Sequence, residues 1–564
     1  MNIEDYDVAI VGGGPFGLML ANELGRRGVS VILFDEKPST AFNPQANATQ
    51  ARTMEHFRRL GFADEIRALG MPAEFPTDIA YFTRYSKHEL ARFRLPSAKE
   101  AKERVSTLTG SWSAAELPHR VSQKYVERIL RQHAQALDLV SVNYGWRVSQ
   151  FEDNGSAVIV TAKAVENDAT RTIRCKYLVG GDGARSFIRK SLDIRYQGDG
   201  GAVRDFFGGK MFALYVRCPQ FYEVVPFPPA WMNVAFNQER RAFMAAVDGQ
   251  GEFAFHTQLK NGENDEDISD EQAVRIFQSA VGHPVEVELL SRGTWNAGYA
   301  LVAEKFQSGR VFLGGDAAHL FTPAGGLGYN TAVDDAVNLG WKLAAVVKGS
   351  APACLLATYE AERQSIAVRN TSFAKKFAES IGNYVPKSHL EDESEHGADL
   401  RREAGEYLEA HGRAEFNIPG ITFGARYDHS PVICAESHRE SADLPDAYQP
   451  TAAPGGRAPH IWLDGQTSLY DRFGFEWTLL RLGNPSNNGK NLIAACAAEK
   501  IDLTVVDLQV DALSELYEMP LVLIRPDQIV AWRGTDIHDA ATIVKTVLGK
   551  TISVNRASQA NNEH

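Results

Sequence analysis

The opening of the chain is the feature that most constrains its fold. Residues 6–11 form a short apolar run rich in β-branched side chains, and residues 12–17 carry the glycine pattern GxGxxG. Apolar residues then recur at helical spacing over 18–27, and a second apolar run covers 29–34. Strand, glycine turn, helix and strand in this order are the βαβ unit of a dinucleotide-binding fold.

Each glycine of this turn has a separate predicted task. Gly12 permits the tight turn, Gly14 lets the backbone approach a pyrophosphate, and Gly17 allows the helix to pack closely on the strand. The helix N-terminus offers free N–H groups to phosphates. Asp35 ends the second strand, where a carboxylate can accept hydrogen bonds from ribose hydroxyls, and Glu36 beside it is a further candidate for cofactor binding.

Two later turns favour FAD over NAD, because a long ligand with a ribityl chain and a flavin ring needs contacts spread along the chain. The first turn, 181–186, contains Asp182, Gly183 and Arg185. The second, 315–319, contains Asp316, which we expect to accept hydrogen bonds from ribityl hydroxyls, and His319, which we expect to shape the turn. Cofactor-binding candidates at the start of the long helix predicted after it, where backbone N–H groups can face the flavin, are Gly326, Gly328 and Asn330.

These patterns predict an α/β chain in which a Rossmann-like FAD-binding domain carries an inserted antiparallel sheet for the substrate. Its length of 564 residues is too great for one domain. The predicted FAD-binding domain comprises 1–80, 105–200 and 297–375, and the substrate-binding sheet comprises 81–104 and 201–296. A helical linker is expected over 376–424, a separate C-terminal module over 425–550 and a disordered tail over 551–564.

Composition excludes several classes of function. The net charge of −12 disfavours general nucleic-acid binding, and no apolar run is long enough to span a membrane. The N-terminus does not resemble a secretion signal. The five cysteines are far apart, so we expect no metal site and no CxxC redox pair, and we interpret them as reduced thiols of a cytoplasmic protein.

The region from 310 to 344, RVFLGGDAAHLFTPAGGLGYNTAVDDAVNLGWKLA, and YEAER at 359–363 resemble the class A flavoprotein aromatic monooxygenases, the p-hydroxybenzoate and phenol hydroxylase family. The resemblance covers essentially the whole chain. It implies that Asp182, Gly183 and Arg185 serve both FAD and a nicotinamide cofactor, NADPH or NADH. It also implies that Asp316 binds the ribityl and pyrophosphate region and that Gln123 contacts the flavin.

The C-terminal segments 454–460 and 523–533 resemble the thioredoxin-like tail of phenol hydroxylase-type members. Because the module lacks CxxC, we expect it to pack or to form a homodimer rather than to do thiol chemistry. One position departs from the family: Gln45 stands where many members carry an arginine near the flavin. Arg52 is a candidate to replace that arginine.

The predicted reaction is hydroxylation of a phenol-like aromatic ring with O2, by way of a flavin C4a-hydroperoxide. A phenol reacts faster as phenolate, so a base or hydrogen-bond acceptor near its hydroxyl is expected. Tyr215 and Arg217 lie two apart on one predicted strand and so share a face, which makes them candidates to bind a phenolate or carboxylate. His256 and Tyr222 are further candidates for the substrate site.

Two other hypotheses remain open from the sequence. One is a polyketide-tailoring oxygenase that hydroxylates a polycyclic substrate or inserts oxygen beside a ketone. The other is a non-catalytic flavin-binding or scaffolding protein whose C-terminal module does the work.

Overall fold

A computed structural model describes residues 3–167, 169–201, 204, 206–436, 443–483, 489–535 and 539–552. Most of the predicted tail, 553–564, lies outside the described residues.

The described strands fall into four sheets. In chain order they are β1 (Ile3–Val11), β2 (Val31–Asp35), β3 (Ile79–Phe82), β4 (Glu89–Phe93), β5 (Val140–Tyr144), β6 (Trp146–Asp153), β7 (Val158–Ala164), β8 (Thr170–Gly180), β9 (Tyr196–Asp199), β10 (Gly209–Arg217), β11 (Met232–Ala235), β12 (Ala242–Ala246), β13 (Glu252–Gln258), β14 (Glu288–Ala297), β15 (Ala300–Ala303), β16 (Gln307–Ser308), β17 (Val311–Leu313), β18 (His319–Leu320), β19 (Trp477–Leu482), β20 (Leu503–Leu508), β21 (Leu521–Ile524) and β22 (Val530–Gly534).

The described helices are α1 (Pro15–Arg26), α2 (Ala51–Arg59), α3 (Ala63–Arg67), α4 (Ala98–Arg104), α5 (Gln123–Gln135), α6 (Phe187–Ser191), α7 (Phe221–Val224), α8 (Asp270–Val281), α9 (Leu327–Val347), α10 (Ala357–Asn383), α11 (Glu395–Phe416), α12 (Pro419–Phe423), α13 (Lys490–Ala498), α14 (Asp511–Tyr517) and α15 (Ala540–Val547). None of these helices combines the length and apolar character that a membrane span requires.

The first sheet is the predicted nucleotide-binding layer. Its parallel strands run β17-β8-β1-β2-β5, so the end of β1 lies between the ends of β2 and β8. The core strands are almost fully buried, which fits a sheet that is covered by helices on both faces. The three predicted turns therefore meet at one edge, because the turns after β1, β8 and β17 all leave the carboxyl ends of adjacent strands.

The second sheet has seven strands in the order β14-β10-β13-β12-β11-β3-β4. The predicted antiparallel pairing is found at every neighbour except β3 with β11, which pair in parallel because β3 enters from an earlier part of the chain. The predicted boundary at 80/81 falls inside β3 and needs correction. One face of the sheet packs on α8, where the Phe255 and Phe277 rings lie 5.4 Å apart.

One other boundary differs from the prediction. The boundary at 375/376 falls inside α10, which continues to Asn383 because it contains no proline and its one glycine, Gly382, is the penultimate residue. Residues 49–69 contain two helices, α2 and α3, since Gly61 adopts a left-handed φ of 84° between them. The predicted linker contains α11, which packs closely on β4 rather than spanning open solvent.

The C-terminal module has a four-stranded sheet in the order β20-β19-β21-β22, in which only β19 and β20 are parallel. It joins the rest of the chain through buried charges that we call the paired core. There Glu362 of α10 accepts from Lys342 at 2.7 Å and from both Nη atoms of Arg525 at 2.7 and 2.8 Å. Arg525 also pairs with Asp527 at 2.5 Å. A second pair joins Glu55 of α2 to Arg457 at 2.5 Å.

Candidate active site

The first glycine turn has the geometry that its sequence predicts. Gly12 has a φ of 111°, and a Cβ there would lie 2.1 Å from the carbonyl oxygen of Gly181 on the neighbouring turn. A Cβ on Gly17 would lie 1.9 Å from the Gly12 oxygen, so helix and strand need glycine to pack this closely. A Cβ on Gly14 would meet nothing within 4 Å, and α1 has no side-chain cap. Its N-terminus therefore faces open space where phosphates can bind.

The acids of the three turns are held in different ways. Asp35 accepts from the backbone N–H of Gly13 at 2.6 Å, which ties the strand end to the phosphate turn. Glu36 points to Arg147, with which it forms an exposed ion pair at 2.7 Å. Both oxygens of Asp182 are used within its own turn, accepting from the Ser186 hydroxyl at 2.5 Å and from the Ile188 N–H at 3.1 Å.

These contacts define what Asp182 does in the turn of residues 181–186. The Asp182 carboxylate stabilises the start of α6, so its contribution to a ligand must come through the turn it shapes. Gly183 adopts the left-handed φ of 79° that the turn requires, and Arg185 is exposed beside it. Asp316 is also solvent-exposed, yet the protein packed around it raises the pKa of its carboxyl.

The turn before α9 is braced against the segment that follows β2. Asn330 accepts from the Gln50 N–H at 2.8 Å and donates to the carbonyl oxygens of Ala48 at 2.9 Å and Gly326 at 2.6 Å. Gly326 has a φ of 64°, and a Cβ there would come within 2.8 Å of the Ala48 Cβ. Gly328 is the second residue of α9, whose N-terminus has no side-chain cap. Backbone N–H groups of α9 are thus free for a ligand.

The residues present therefore fit an FAD. Glycines leave open space at α1, the α9 N-terminus is uncapped, and both lie on one edge of the parallel sheet. Gln123 opens α5 beside this edge, and its amide donates to Gln45 at 3.3 Å and to Glu127 at 2.8 Å. The departure at position 45 thus lies next to Gln123.

Arg52 does not replace the missing arginine, and this expectation is wrong. Its guanidinium is buried and donates to the Asp527 carbonyl oxygen at 2.6 Å, to the Gln528 side chain at 2.7 Å and to Glu55 at 3.0 Å. The α2 helix presents this side chain to the C-terminal module, so its donors are used there rather than at the flavin.

The flavin-binding domain and the seven-stranded sheet face each other, and we call the region between them the cleft. Tyr215 of β10 accepts from Lys124 of α5 at 2.5 Å, and its ring lies 5.7 Å from that of Phe42. Ser291 of β14 donates to Asn43 at 2.6 Å. Since side chains alternate across a strand, this face of the sheet is turned toward the cofactor turns.

Aromatic rings cover this face of the sheet, and we call them the aromatic wall: Phe207, Phe243, His256 and Trp295. Phe207 and Phe243 stack at 5.1 Å, and Phe243 and His256 stack at 4.6 Å. Trp295 meets His256 edge-on at 5.8 Å. Phe207 has a left-handed φ of 55°, an energetically costly backbone that is often found at functional sites.

His256 is placed as a hydrogen-bond donor rather than a base. The Trp295 Nε1–H, which can only donate, lies 3.1 Å from His256 Nδ1. Burial lowers the pKa of His256 to about 4, so the ring is neutral at pH 7. A neutral imidazole that accepts at Nδ1 carries its proton on Nε2. His256, one of the candidates for the substrate site, is therefore an N–H donor in the cleft.

The other predicted substrate residues are already engaged. Tyr215 and Arg217 share a face as predicted, but Tyr215 donates to Glu252, and exposed Arg217 pairs with Glu252 at 3.1 Å and Glu288 at 2.5 Å. Burial is the first cause that raises the pKa of Tyr215 above its ordinary value. Tyr222 packs on Phe253, which lies on the opposite face of the sheet, so it is not part of the cleft. His319 is buried 2.6 Å from Asp335, which fits its predicted structural role.

The sequence pattern missed two residues at this site. Glu415, near the end of α11, accepts from the N–H of Gly325 at 2.8 Å and pairs with His411 at 2.8 Å. Arg120, just before α5, is only 5 % exposed and lies over the rings of Trp231 at 4.5 Å and Phe416 at 5.6 Å. A charged position three residues before Gln123 was the available signal, but burial is not visible in sequence.

Comparison with known proteins agrees with this geometry. A family model described as an FAD binding domain matches residues 5–374, and one described as the C-terminal domain of aromatic-ring hydroxylases matches residues 451–551. The chain belongs to the class A flavoprotein aromatic monooxygenases. This monooxygenase is therefore an FAD-dependent enzyme, and the hypothesis of a non-catalytic scaffold is wrong.

The monooxygenase is similar to relatives along almost its whole length. It is 30% identical to aklavinone 12-hydroxylase RdmE of Streptomyces purpurascens, covering 98% of this chain and 100% of the relative. It is 29% identical to phenol 2-monooxygenase of a Pseudomonas species, covering 97% and 93%. A solved structure of chromopyrrolic acid-soaked RebC with bound 7-carboxy-K252c superposes with a TM-score of 0.87 at 31% identity, covering 97% of this chain and 100% of that one.

Proposed function

We propose that this monooxygenase hydroxylates a flat, electron-rich aromatic substrate of the phenol type, held between the aromatic wall and the flavin. The aromatic wall is the observation that carries this proposal. Two stacked contacts, Phe207 with Phe243 and Phe243 with His256, form a continuous row of aromatic rings on the face that is turned toward the cofactor turns. Clustered aromatic side chains bind planar rings through edge-to-face or offset contacts and by removing apolar area from water.

His256 gives the substrate an orientation. Its Nε2–H is a donor with no partner among the residues that the structure describes, so it suits a substrate oxygen that accepts a hydrogen bond. Bound FAD would supply the transfer of electrons from a pyridine nucleotide to O2 and then of one oxygen atom to the ring. The wall excludes water from that reaction, and His256 fixes which edge of the ring faces the flavin.

We further propose NADPH or NADH as the reductant. The chain carries a single GxGxxG turn, and that turn is built for FAD, so a nicotinamide cofactor would meet the flavin only transiently. Exposed Arg185, beside the second cofactor turn, is the cation best placed to attract its phosphates.

Oxidation of NADPH and NADH by the FAD-loaded protein tests this function. We expect a panel of phenols, naphthols and hydroxybenzoates to include members that stimulate oxidation and yield a product heavier by one oxygen atom, labelled when the gas is ¹⁸O2. Aromatic compounds that bind but give only hydrogen peroxide across the panel would refute the hydroxylase assignment. A Gly14→Ala variant is the matched control. Its added methyl has free space in the protein alone but enters the phosphate site, so it should weaken FAD binding and leave the fold intact.

A second candidate is tailoring of a polycyclic polyketide. The observation that favours it is the length of the wall, since its four rings follow one another at centroid distances of 5.1, 4.6 and 5.8 Å, a row longer than one phenol ring. The similarity to an aklavinone 12-hydroxylase agrees with it. Product structure by NMR distinguishes ring hydroxylation from insertion of oxygen beside a ketone.

We infer that the C-terminal module has a thioredoxin-like fold. A parallel β19-α13-β20 unit followed by the antiparallel β21-β22 hairpin and α15 supports this inference. The module carries no CxxC pair, so packing or homodimer formation is its proposed role.

A further inference from the structure

Arg120 is a buried cation with no hydrogen-bonded counter-ion among the described residues. Its Nη1 is buried and has no hydrogen-bond partner, and Arg120 forms no ion pair in the described part of the chain. Burying a charge is costly unless it is paired, so such a group is rare in a protein that is complete without a ligand. Burial lowers the pKa of Arg120 to about 10, and the guanidinium therefore stays charged at neutral pH.

The nearest acid makes no hydrogen bond to Arg120. Glu415 lies close enough to act on Arg120 electrostatically, but one of its oxygens accepts from Gly325 and the other from His411. The rings of Trp231 and Phe416 cover the guanidinium plane without taking its N–H donors. The in-plane donors of Arg120 thus remain available.

Its place in the fold puts Arg120 at one end of the cleft. Trp231 directly precedes β11 of the seven-stranded sheet, and Glu415 braces the Gly325 turn at the start of α9. The aromatic wall begins on β12, the next strand after β11, and continues through β13 to β14. A planar ligand on the wall would therefore have His256 toward one end and Arg120 toward the other.

We propose that Arg120 binds an anionic oxygen of the substrate, so that this enzyme prefers an aromatic acid, either a carboxylate or an ionised ring hydroxyl, over a neutral ring. The inference rests on the proposed function, since it takes the cleft to be the aromatic site. A guanidinium binds an oxyanion with two parallel N–H donors, and such charge-assisted bonds are about twice as strong as neutral ones. The surrounding rings strengthen the contact by keeping water away.

Binding to the oxidised, FAD-loaded enzyme tests this proposal without turnover. The probes are 2-naphthoate as the carboxylate, 1-naphthol across its own ionisation as the ring hydroxyl, and 2-naphthamide as a neutral analogue of the same shape. Changes in the flavin absorbance report Kd. We expect the naphthoate, the ionised naphthol, or both to bind at least tenfold more tightly than the amide.

Arg120→Met should remove this preference and leave the affinity for the amide nearly unchanged, whereas Arg120→Lys should keep part of it. Arg92→Met is the control, because Arg92 belongs to the same sheet but pairs with Glu89 and Asp78. Equal binding of anion and amide by the wild-type protein, or equal losses for both probes in Arg120→Met, would overturn the proposal. So would a loss of FAD affinity in Arg120→Met and Arg120→Lys with the anion preference unchanged, since the cation would then serve the flavin.

Failure here is distinct from failure of the proposed function. If neutral phenols are hydroxylated but no anion preference exists, only the role of Arg120 is wrong. If no aromatic probe perturbs the flavin and none is oxygenated, the aromatic site itself is wrong.

Discussion

Buried polar groups have partners within the chain in the paired core, whereas two such groups in the cleft have none among the described residues. In the paired core, the carboxylate of Glu362 is shared by Lys342 and Arg525, and every one of these side chains is fully buried. In the cleft, Arg120 and the Nε2–H of His256 are without partners among the described residues. The difference separates structure from function: charges that hold modules together are satisfied within the chain, and groups meant for a ligand are left open.

Glu362→Gln gives the largest expected effect, because it breaks the paired core. Removing the carboxylate charge leaves Lys342 as an uncompensated buried cation and Arg525 with Asp527 alone, which should cost about 3–5 kcal/mol of unfolding free energy. Urea unfolding of the wild-type and variant proteins measures this loss. A loss below 1 kcal/mol would mean that the pairing is not a main contact between the modules.

The second-largest effect is expected from lowering the pH, which should reduce the free energy of unfolding through groups at the interface between the C-terminal module and the rest of the chain. Burial lowers the pKa of His460 to about 3, and while burial alone would raise the pKa of Glu55, Arg457 and Arg52 lower it to about 2. Both folded pKa values lie below the unfolded ones, so stability falls as pH drops, first below 6.5 for His460 and then below 4.5 for Glu55. Each group contributes up to about 1.4 kcal/mol per pH unit.

The urea concentration at the midpoint of unfolding, followed from pH 7 to pH 4.5, measures the contribution of His460 to stability. His460→Gln should make its pH dependence shallower in that window, since glutamine does not titrate. An unchanged slope would show that His460 is not among the groups that drive acid unfolding.

His256→Phe tests whether the unpaired N–H donor in the cleft serves the substrate. Phenylalanine keeps the stacked wall but removes the N–H donor, so unfolding free energy should change little while kcat/KM falls roughly tenfold, equivalent to about 1.4 kcal/mol. The loss should be constant from pH 6 to 9, because His256 is neutral throughout that range. A loss that appears only above a pKa near 7 would instead restore His256 as a base.

Arg120→Met is expected to have the smallest effect on stability. Because Arg120 makes no ion pair in the described part of the chain, an apolar side chain of similar length should change the unfolding free energy by less than about 1 kcal/mol or raise it. Urea unfolding without ligand measures this. A loss as large as that of Glu362→Gln would place Arg120 with the structural charges and erase the contrast between the two regions.

Local pattern predicted the cofactor edge well, and long-range packing explains what it missed. The tasks of Gly12 and Gly17 follow from backbone geometry within a single βαβ unit, and the structure confirms them through φ and the space for a Cβ. The strand face of Tyr215 was also predictable from alternation. That Arg52 serves the C-terminal module depends on contacts with residues 527 and 528, and no local pattern reports these.

The same limit applies to protonation. Histidine in the sequence suggests a base, but the proton position of His256 is set by Trp295, which is 39 residues away and on another strand. The unpaired state of Arg120 is likewise a property of the folded surroundings, because it depends on Glu415 being engaged elsewhere.

The hydrogen bond from the Gly325 N–H to Glu415 means that the cofactor site depends on a residue outside the segments that match the two family models. Residue 415 lies after the end of the FAD-binding match at 374 and before the start of the hydroxylase match at 451. A fragment that ends at residue 374 would keep the glycine turns but lose Glu415, which holds the turn at Gly325. Chimaeras with related enzymes should therefore be joined beyond α11, so that the pocket and its support are inherited together.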